Sequence, residues 1–245
     1  MKIATTLLIP AKSDVERDRV AQAWEAAGGR VQRVEKFWVK PDLADNEAVA
    51  IYGNDTFAQV LAQVLGLKLL SPDDALIGRI SKEWTKRTIL QRELAELVER
   101  DFPLFVKPVI PKQFAAAVYQ SLSELQAATL DLPGKEVVLT SEKVEISAEA
   151  RFFVLDGAIQ ASALYEGEGD LTDGESLVSG FARAHLGELP RTYVVDLAFN
   201  PDLGWLLLEF NASWGAGLNG CDANLVLPCI QYATVNSDVQ ELPGI

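Results

Sequence analysis

The chain has 245 residues, and 49% of them are hydrophobic, so it is long enough to bury one large core or two or three smaller ones. Its 22 basic and 35 acidic residues give a net charge of −13, which argues against nonspecific binding to nucleic acid or to an anionic membrane. Cys221 and Cys229 are the only cysteines, and they lack the partner residues of a zinc site, so we expect a reducing, cytoplasmic environment rather than a disulfide framework.

Residues 1–75 are predicted to form a small α/β unit. A strand over residues 3–9 precedes a helix that Ser13 and Glu16 can cap, and a second helix closes at Gly66. Because further strands alternate with these helices, we expect a parallel sheet. The apolar start of the chain is too short for a signal peptide, and no apolar run approaches the ~20 residues of a membrane span. The first strand also lacks the Gly-x-Gly-x-x-Gly pattern of dinucleotide sites.

The middle of the chain is predicted to contain two helical stretches and two strands. A cap, a proline and acids at residues 71–74 are typical of a helix start, so we expect residues 76–101 to form a helical linker. A strand over residues 103–108 carries Lys107, which is either solvated or the partner of a phosphate. An amphipathic helix over residues 112–127 and a strand over residues 136–140 follow.

Two hairpins dominate the remaining sequence. Asp156-Gly157 joins strands predicted over residues 149–155 and 158–165, and Glu149 and Arg151 share one face at the opening of this hairpin. We expect residues 166–175 to form a solvated acidic loop, although a lid is an alternative. His185, the only histidine, is expected to end a helix, and the last dozen residues are expected to form a tail.

The second hairpin carries the most informative polar residues. Apolar runs at residues 193–199 and 205–210 flank an Asn-Pro-Asp-Leu-Gly turn. Asp196 interrupts the first strand, while Glu209 and Asn211 stand two apart and therefore face one side of the second. Two carboxylates and an amide oxygen suit Mg²⁺, which takes its other ligands from water and phosphates. The alternative is a polar outer face of a two-sided sheet.

This pattern resembles the ATP-grasp superfamily and, within it, the R2K clade. The most specific part is Asp196 followed thirteen residues later by Glu209-Phe210-Asn211, and a further part is the Phe-Val-Lys-Pro strand. The resemblance implies an α/β fold of the α+β grasp type, in which a Rossmann-like pre-grasp domain precedes a two-lobed ATP-grasp domain with antiparallel sheets. The implied boundaries are residues 1–75 for the pre-grasp domain, 76–101 for the helical linker, 102–148 for the small lobe and 149–245 for the large lobe.

The resemblance also implies that the protein binds ATP and Mg²⁺, and it assigns residues to them. The metal ligands are Asp196, Glu209 and Asn211. The phosphates are assigned to four basic residues: Lys86, Lys107, Lys112 and Arg151. Lys107 and Arg151 are also the catalytic candidates. The adenine is assigned to the connector Glu142, Lys143 and Val144, and the ribose to Glu149. Substrate contacts are assigned to the glycine-rich turn: Ser213, Trp214, Gly215 and Gly217.

The implied activity is that of a carboxylate-amine ligase that works through an acylphosphate. Its substrates would be small molecules or peptides with amine and carboxylate groups, with no nucleic acid or membrane involved, and a homodimer is compatible with the sequence. Two departures from the family pattern keep an alternative open, a catalytically silent ATP-binding regulatory or scaffolding module. Residues 109–113 lack the glycines of a phosphate lid, and Val194 stands where many ligases have arginine. A third hypothesis places the function in the N-terminal unit and makes the second hairpin mere core.

Overall fold

A computed structural model describes residues 5–44 and 47–237. Its N-terminal part is a parallel sheet of β1 (Thr6–Pro10), β2 (Arg30–Val34) and β3 (Val49–Ile51), in the order β2-β1-β3, as the alternation of strands and helices predicts. Residues 3–4 of the predicted first strand lie outside the described residues. Side chains of β1 alternate between two cores, because Leu7 and Ile9 pack on one side and Leu8 packs on the other.

Two helices flank this parallel sheet. α1 (Val15–Ala26) begins at Asp14, whose side chain accepts a hydrogen bond from the backbone N–H of Arg17, so the predicted cap at Ser13 is off by one residue. α2 (Asp55–Leu65) begins at Asn54 and ends at Gly66 in the left-handed conformation, as predicted. β4 (Leu67–Leu69) follows α2 directly.

The expected helical linker over residues 76–101 is wrong. This stretch contains only a short helix α3 (Lys82–Thr85) and brief 3-10 turns, and its main element is the strand β5 (Ile89–Glu93). The helix expected over residues 112–127 is also wrong in its first half. β6 (Leu104–Pro108) turns back into β7 (Ala117–Tyr119), and α4 (Leu122–Ala128) starts only after that strand. With β8 (Val137–Ser141) these strands form an antiparallel sheet in the order β5-β8-β6-β7, which we call the small sheet.

A larger antiparallel sheet is built from the two predicted hairpins. β9 (Ala148–Leu155) and β10 (Ala158–Gly167) form the first, and β11 (Thr192–Asn200) and β12 (Gly204–Asn211) form the second. Their order is β10-β9-β11-β12, which we call the large sheet. α5 (Thr172–Ala184) packs on one face, where it starts inside the stretch expected to be a loop and ends at His185 as predicted.

The other face of the large sheet packs on the N-terminal unit. Phe153 and Val194 share one core with Trp24 of α1 and with the helix α6 (Ala223–Gln231), so the two parts of the chain are joined by continuous apolar packing. β13 (Thr234–Asn236) pairs antiparallel with β4, so the start of the expected tail is a strand. Residues 238–245 lie outside the described residues. No helix in the described ranges has the length and apolarity needed to cross a membrane.

The fold is therefore a mixed α/β structure with antiparallel sheets, as the sequence predicts. The boundaries proposed at residues 75, 101 and 148 stay predictions.

Candidate functional site

A β-bulge in β12 determines where its polar side chains lie. Asp196 pairs with Glu209 but the next residue, Leu197, pairs with Leu207, so Leu208 is the extra residue of the bulge. Leu207 packs in the core under α5, whereas Leu208 and Glu209 both line a cavity. The bulge thus interrupts the alternation of side chains between the two faces of β12 just before Glu209 and Asn211.

The three predicted metal ligands lie together. The side-chain amide of Asn211 donates to Oδ2 of Asp196 at 3.2 Å and to Oε1 of Glu209 at 3.2 Å. Because the amide nitrogen takes both bonds, the amide oxygen of Asn211 keeps its acceptor capacity. Their common location agrees with the sequence hypothesis, and their role as ligands stays a prediction.

Lys107 connects the small sheet to this cluster. Its Nζ lies 2.5 Å from Oε2 of Glu209, which is an ion pair between β6 and β12. Burial acts to raise the pKa of Glu209, but the charge of Lys107 and hydrogen bonds from Lys107 and Asn211 outweigh it and lower that pKa. Glu209 is therefore ionised at neutral pH and paired with a cation that can exchange for another.

Arg151 forms a second, more deeply buried ion pair. Its Nε donates to Oδ1 of Asp196 at 2.8 Å and its Nη2 donates to Oδ2 at 2.6 Å, while Asp196 is only 1% exposed. Burial raises the pKa of Asp196, and Arg151 acts against that rise. The third edge of the guanidinium donates from Nη1 to the carbonyl oxygen of Gly217 at 2.9 Å. Arg151 is thus bound to Asp196 and to the glycine-rich turn and is not among the residues that line the cavity, and its contact with phosphates stays a prediction.

The cavity between the small and large sheets has a volume of about 260 Å³. Its walls are largely apolar, and they include side chains from both sheets and from the segment before β5: Ile77, Ile89, Phe105, Leu139, Ile146 and Leu208. Charged groups and a phenol also line it: Arg87, Lys107, Glu149, Tyr165 and Glu209. A mostly apolar cleft with a few convergent charges is the usual form of a small-molecule site.

Arg87 is a cavity residue that sequence reasoning missed. Its guanidinium is 6% exposed and donates to the carbonyl oxygens of Leu207 at 2.9 Å and Thr85 at 3.2 Å, and burial lowers its pKa to about 10. The neighbouring Lys86, which was predicted to bind phosphate, ends α3 with a φ of 52° and is not among the lining residues. The basic pair was the available signal, but the chain direction at the end of α3 decides which member faces the cavity.

Tyr165 was also missed. Its hydroxyl donates to Oε2 of Glu149 at 2.5 Å, from the strand next to β9, and burial together with this bond raises the pKa of the phenol. The guanidinium of Arg151 lies 5.9 Å from the centre of the same ring. Tyr165 therefore orients the predicted ribose-binding acid and packs beside the buried ion pair.

The predicted adenine connector is an extended segment between β8 and β9. The carboxylate of Glu142 accepts hydrogen bonds from the backbone N–H of Thr88 at 3.1 and 3.2 Å, and Lys143 and Val144 are exposed or half-buried. Ser141 and Ile146 line the cavity, so the segment borders it although residues 142–144 do not. Lys112 is exposed in a turn between β6 and β7 with a φ of 68°, and it does not line the cavity either.

The glycine-rich turn is only partly as predicted. Ser213 is fully buried with its hydroxyl 2.8 Å from that of Thr192, and the buried indole of Trp214 donates to the Ser71 hydroxyl at 3.0 Å. The core thus takes up the polar side-chain atoms of these two residues, and the contact of the turn's backbone N–H groups with substrate stays a prediction. Gly215 is exposed, and the carbonyl of Gly217 is bound to Arg151.

The donor set suits Mg²⁺ only in part. In the part of the chain that the structure describes, no group of three or more His, Cys, Asp and Glu side chains could hold a metal ion. Two carboxylates and an amide oxygen, by contrast, match the few protein ligands that Mg²⁺ takes when phosphate oxygens and water complete its shell. The residues present thus fit a Mg²⁺ that arrives with a phosphate ligand, and not a cage made by protein alone.

A family model described as ATP-grasp domain, R2K clade family 2, matches residues 84–229. No curated protein matches the chain. Among solved structures, a RimK domain protein ATP-grasp from Sphaerobacter thermophilus has a TM-score of 0.61 at 14% identity, covering 93% of this chain and 99% of that one. N5-carboxyaminoimidazole synthetase from Staphylococcus aureus, complexed with ADP, has a TM-score of 0.59 at 11% identity, covering 99% and 79%. D-cycloserine synthetase DcsG has a TM-score of 0.56 at 16% identity, covering 93% and 98%. At these identities the likeness shows the fold.

Proposed function

Because the chain belongs to the ATP-grasp domain R2K clade family 2, a family with the fold of ATP-dependent ligases, we propose that it is an ATP- and Mg²⁺-dependent carboxylate-amine ligase. One observation carries this proposal. Lys107 of the small sheet forms an ion pair with Glu209 of the large sheet, both residues line an apolar cavity, and Asn211 links Glu209 to Asp196. Apolar walls with a divalent-cation donor set and a lysine at one end suit a nucleotide triphosphate.

The nucleotide is proposed to lie with its base in the apolar part of the cavity. Ile89 and Leu139 offer flat apolar contact, and the neighbouring Ser141 begins the connector whose backbone can hydrogen-bond a base. Glu149, held by Tyr165, can accept a hydrogen bond from a ribose hydroxyl. The solved relative complexed with ADP supports a nucleotide in this fold.

The phosphates are proposed to lie towards Lys107 and Arg87. Glu209 and Asn211 would hold Mg²⁺, with Asp196 beside them, and Mg²⁺ when bound would neutralise phosphate charge. Lys107 contacts Glu209 and also lines the cavity, so its ammonium can pass from the carboxylate to a phosphate oxygen. This local positive charge is needed because a protein with a net charge of −13 otherwise repels ATP.

The proposed chemistry needs no protein nucleophile. A carboxylate oxygen of the donor substrate bonds to the γ-phosphorus while the bond to the bridging oxygen breaks and ADP leaves. The acceptor amine then bonds to the acyl carbon, inorganic phosphate leaves, and the nitrogen loses a proton. The residues of the site contribute by holding the reactants in line and by balancing charge. Lys107 is the cation that can move to a phosphate, whereas Arg87, bonded to backbone carbonyls, adds fixed positive charge.

The test is release of ADP and phosphate from ATP in the presence of paired carboxylates and amines, including amino acids and short peptides. We expect at least one pair to stimulate release, and Glu209→Gln to remove the stimulation. Glu25→Gln, the same change at an exposed position of α1, serves as the matched control and should leave it intact. If ATP binds but no pair stimulates release, the ligase proposal is wrong.

That result would favour the second candidate, an ATP-binding regulatory or scaffolding module. One observation supports this candidate, since the guanidinium of Arg151 is already taken by Asp196 and Gly217. With three of its five N–H donors used in these bonds, and without a place among the residues that line the cavity, Arg151 is poorly placed to stabilise a transition state there.

A further inference from the structure

Glu16, in the first turn of α1, binds the glycine-rich turn that follows β12. The backbone N–H of Leu218 donates to Oε2 of Glu16 at 3.0 Å, and the backbone N–H of Asn219 donates to Oε1 at 2.9 Å. Both oxygens of one half-buried carboxylate are thus used by two consecutive backbone groups more than two hundred residues away. Hydrogen bonds to an ionised acceptor are stronger than neutral ones.

The same turn holds the buried ion pair of the candidate site. The residue before Leu218 is Gly217, whose carbonyl oxygen accepts a hydrogen bond from Nη1 of Arg151 at 2.9 Å. The other two donor positions of Arg151 bind Asp196. A continuous set of hydrogen bonds therefore runs from Glu16 through the turn to Arg151 and on to Asp196.

The local backbone is built for this close approach. A Cβ atom at Gly217 would lie 2.5 Å from Oε2 of Glu16 and 3.9 Å from Nη1 of Arg151, so any other residue there would push the carboxylate away. Asn219 has a φ of 46°, in the left-handed region, and its N–H and that of Leu218 both point to the carboxylate of Glu16. The hydroxyl of Tyr52 adds a second tie to the turn by donating to the carbonyl of Ala216 at 2.9 Å.

We propose that Glu16 is a positioning residue for the Arg151–Asp196 pair, acting through the turn at residues 217–219. When the carboxylate is removed, the two N–H groups lose their acceptor and the carbonyl of Gly217 is no longer held against Nη1 of Arg151. Nη1 of the guanidinium then loses its acceptor, whereas Nε and Nη2 stay bound to Asp196 among the described contacts. The N-terminal unit thus sets the geometry of a site that it does not itself line.

The direct readout is the hydrogen-exchange rate of the Arg151 Nη1–H group, which donates to the carbonyl of Gly217, followed by ¹⁵N NMR in the absence of nucleotide. We expect slow exchange in the native protein and in Glu25→Gln, and about tenfold faster exchange in Glu16→Ala, which corresponds to the loss of one hydrogen bond to a charged group. Glu16→Gln keeps one acceptor oxygen and should lie between the two. If Glu16→Ala fails to fold, the Gln variant still decides the matter.

Added formate provides an independent check. A small carboxylate can occupy the freed N–H pair, so it should restore slow exchange in Glu16→Ala and leave the native rate unchanged. Equal Nη1–H rates in the native protein, Glu16→Gln and Glu16→Ala would overturn the positioning role and leave only a docking contact.

This inference rests on the proposed function only for its consequence in turnover. If the protein is a ligase, Glu16→Ala should lower kcat for ADP release severalfold with a smaller change in KM for ATP, and an unchanged kcat would remove that consequence. If the native protein shows no turnover with any pair, the ligase proposal fails while the exchange result still stands or falls by itself.

Discussion

Replacing Arg151 by methionine tests the energetics of the site most severely. The substitution leaves Asp196, which is 1% exposed, without the guanidinium that binds both of its oxygens at 2.8 and 2.6 Å. Removal of one partner from a buried ion pair costs about 3–5 kcal/mol, because the remaining charge stays desolvated. For Arg151→Met we therefore expect a loss of unfolding free energy of that size at neutral pH.

The loss should also depend on pH with a defined sign. Burial raises the pKa of Asp196, and Arg151 opposes the rise, so the pKa climbs further when Arg151 is removed. A carboxyl whose pKa is raised by folding favours the folded state below its unfolded pKa, near 3.8, and this contribution disappears as the pH rises through the folded value. The deficit of Arg151→Met should therefore grow from mildly acidic to neutral pH.

Urea unfolding followed by tryptophan fluorescence at several pH values measures this effect. Arg191→Met is the matched control, because Arg191 also donates two hydrogen bonds to one carboxylate, that of Asp156, but both side chains are about half exposed. We expect it to cost about 1 kcal/mol, including its ring contact with Tyr232. The reasoning fails if the two arginine variants lose similar stability, or if the deficit of Arg151→Met is independent of pH.

Three further predictions concern other contacts of the fold and site. Lys107→Met removes the charge that lowers the pKa of Glu209. The stability contributed by the pair is present above the ordinary pKa of 4.5 and is lost as the pH falls through the lower pKa of the folded state. In urea unfolding, the free energies of the native protein and the variant should therefore converge in acid, and a difference that is constant with pH would contradict this. Gly167→Ala brings a Cβ to 2.1 Å from the carbonyl oxygen of Ser147 at a φ of +73°. The control Gly66→Ala has a similar φ of +67° but open space around the Cβ, and it should cost about 1 kcal/mol. The thermal midpoint of Gly167→Ala should therefore fall well below that of Gly66→Ala, and equal midpoints would argue against the clash. Tyr165→Phe releases Glu149 and should weaken calorimetric ATP binding severalfold with little change in unfolding, whereas unchanged affinity would remove Glu149 from the nucleotide site.

The hairpins of the large sheet were predictable because their signals are local. Asp156-Gly157 and the Asn-Pro-Asp-Leu-Gly turn mark the reversals, and the apolar runs beside them have the length and composition of strands. The parallel N-terminal sheet followed from the alternation of strands with capped helices. In these elements local propensity and tertiary pairing favour the same structure.

The small sheet was mispredicted because local propensity and tertiary pairing favour different structures there. Residues 76–101 are rich in Leu, Glu and Arg, and residues 113–118 contain three consecutive alanines, so both stretches have helical propensity. Ile89–Glu93 becomes a strand by pairing with β8, and Ala117–Tyr119 becomes one by pairing with β6. Such pairings join segments that are distant in sequence, and propensity is too weak to oppose them.

The residues of the candidate site also fall into two groups, those that local sequence predicts and those that only tertiary packing brings together. The spacing of Asp196, Glu209 and Asn211 was enough to expect them on one face, although the bulge at Leu208 could not be foreseen. Arg87 and Tyr165 were not assigned to the site, and Glu16 was expected to cap α1, whereas each of them binds a partner at least 16 residues away along the chain. Only the packing of the sheets brings these groups to the cavity and the turn.

The most direct test of the account is calorimetric titration with a nonhydrolysable ATP analogue, with and without Mg²⁺, for the native protein and Glu209→Gln. The account predicts that Mg²⁺ tightens binding to the native protein by about tenfold or more, and that Glu209→Gln loses most of this gain. Equal affinity with and without Mg²⁺ in the native protein, or full Mg²⁺ dependence in Glu209→Gln, would contradict it.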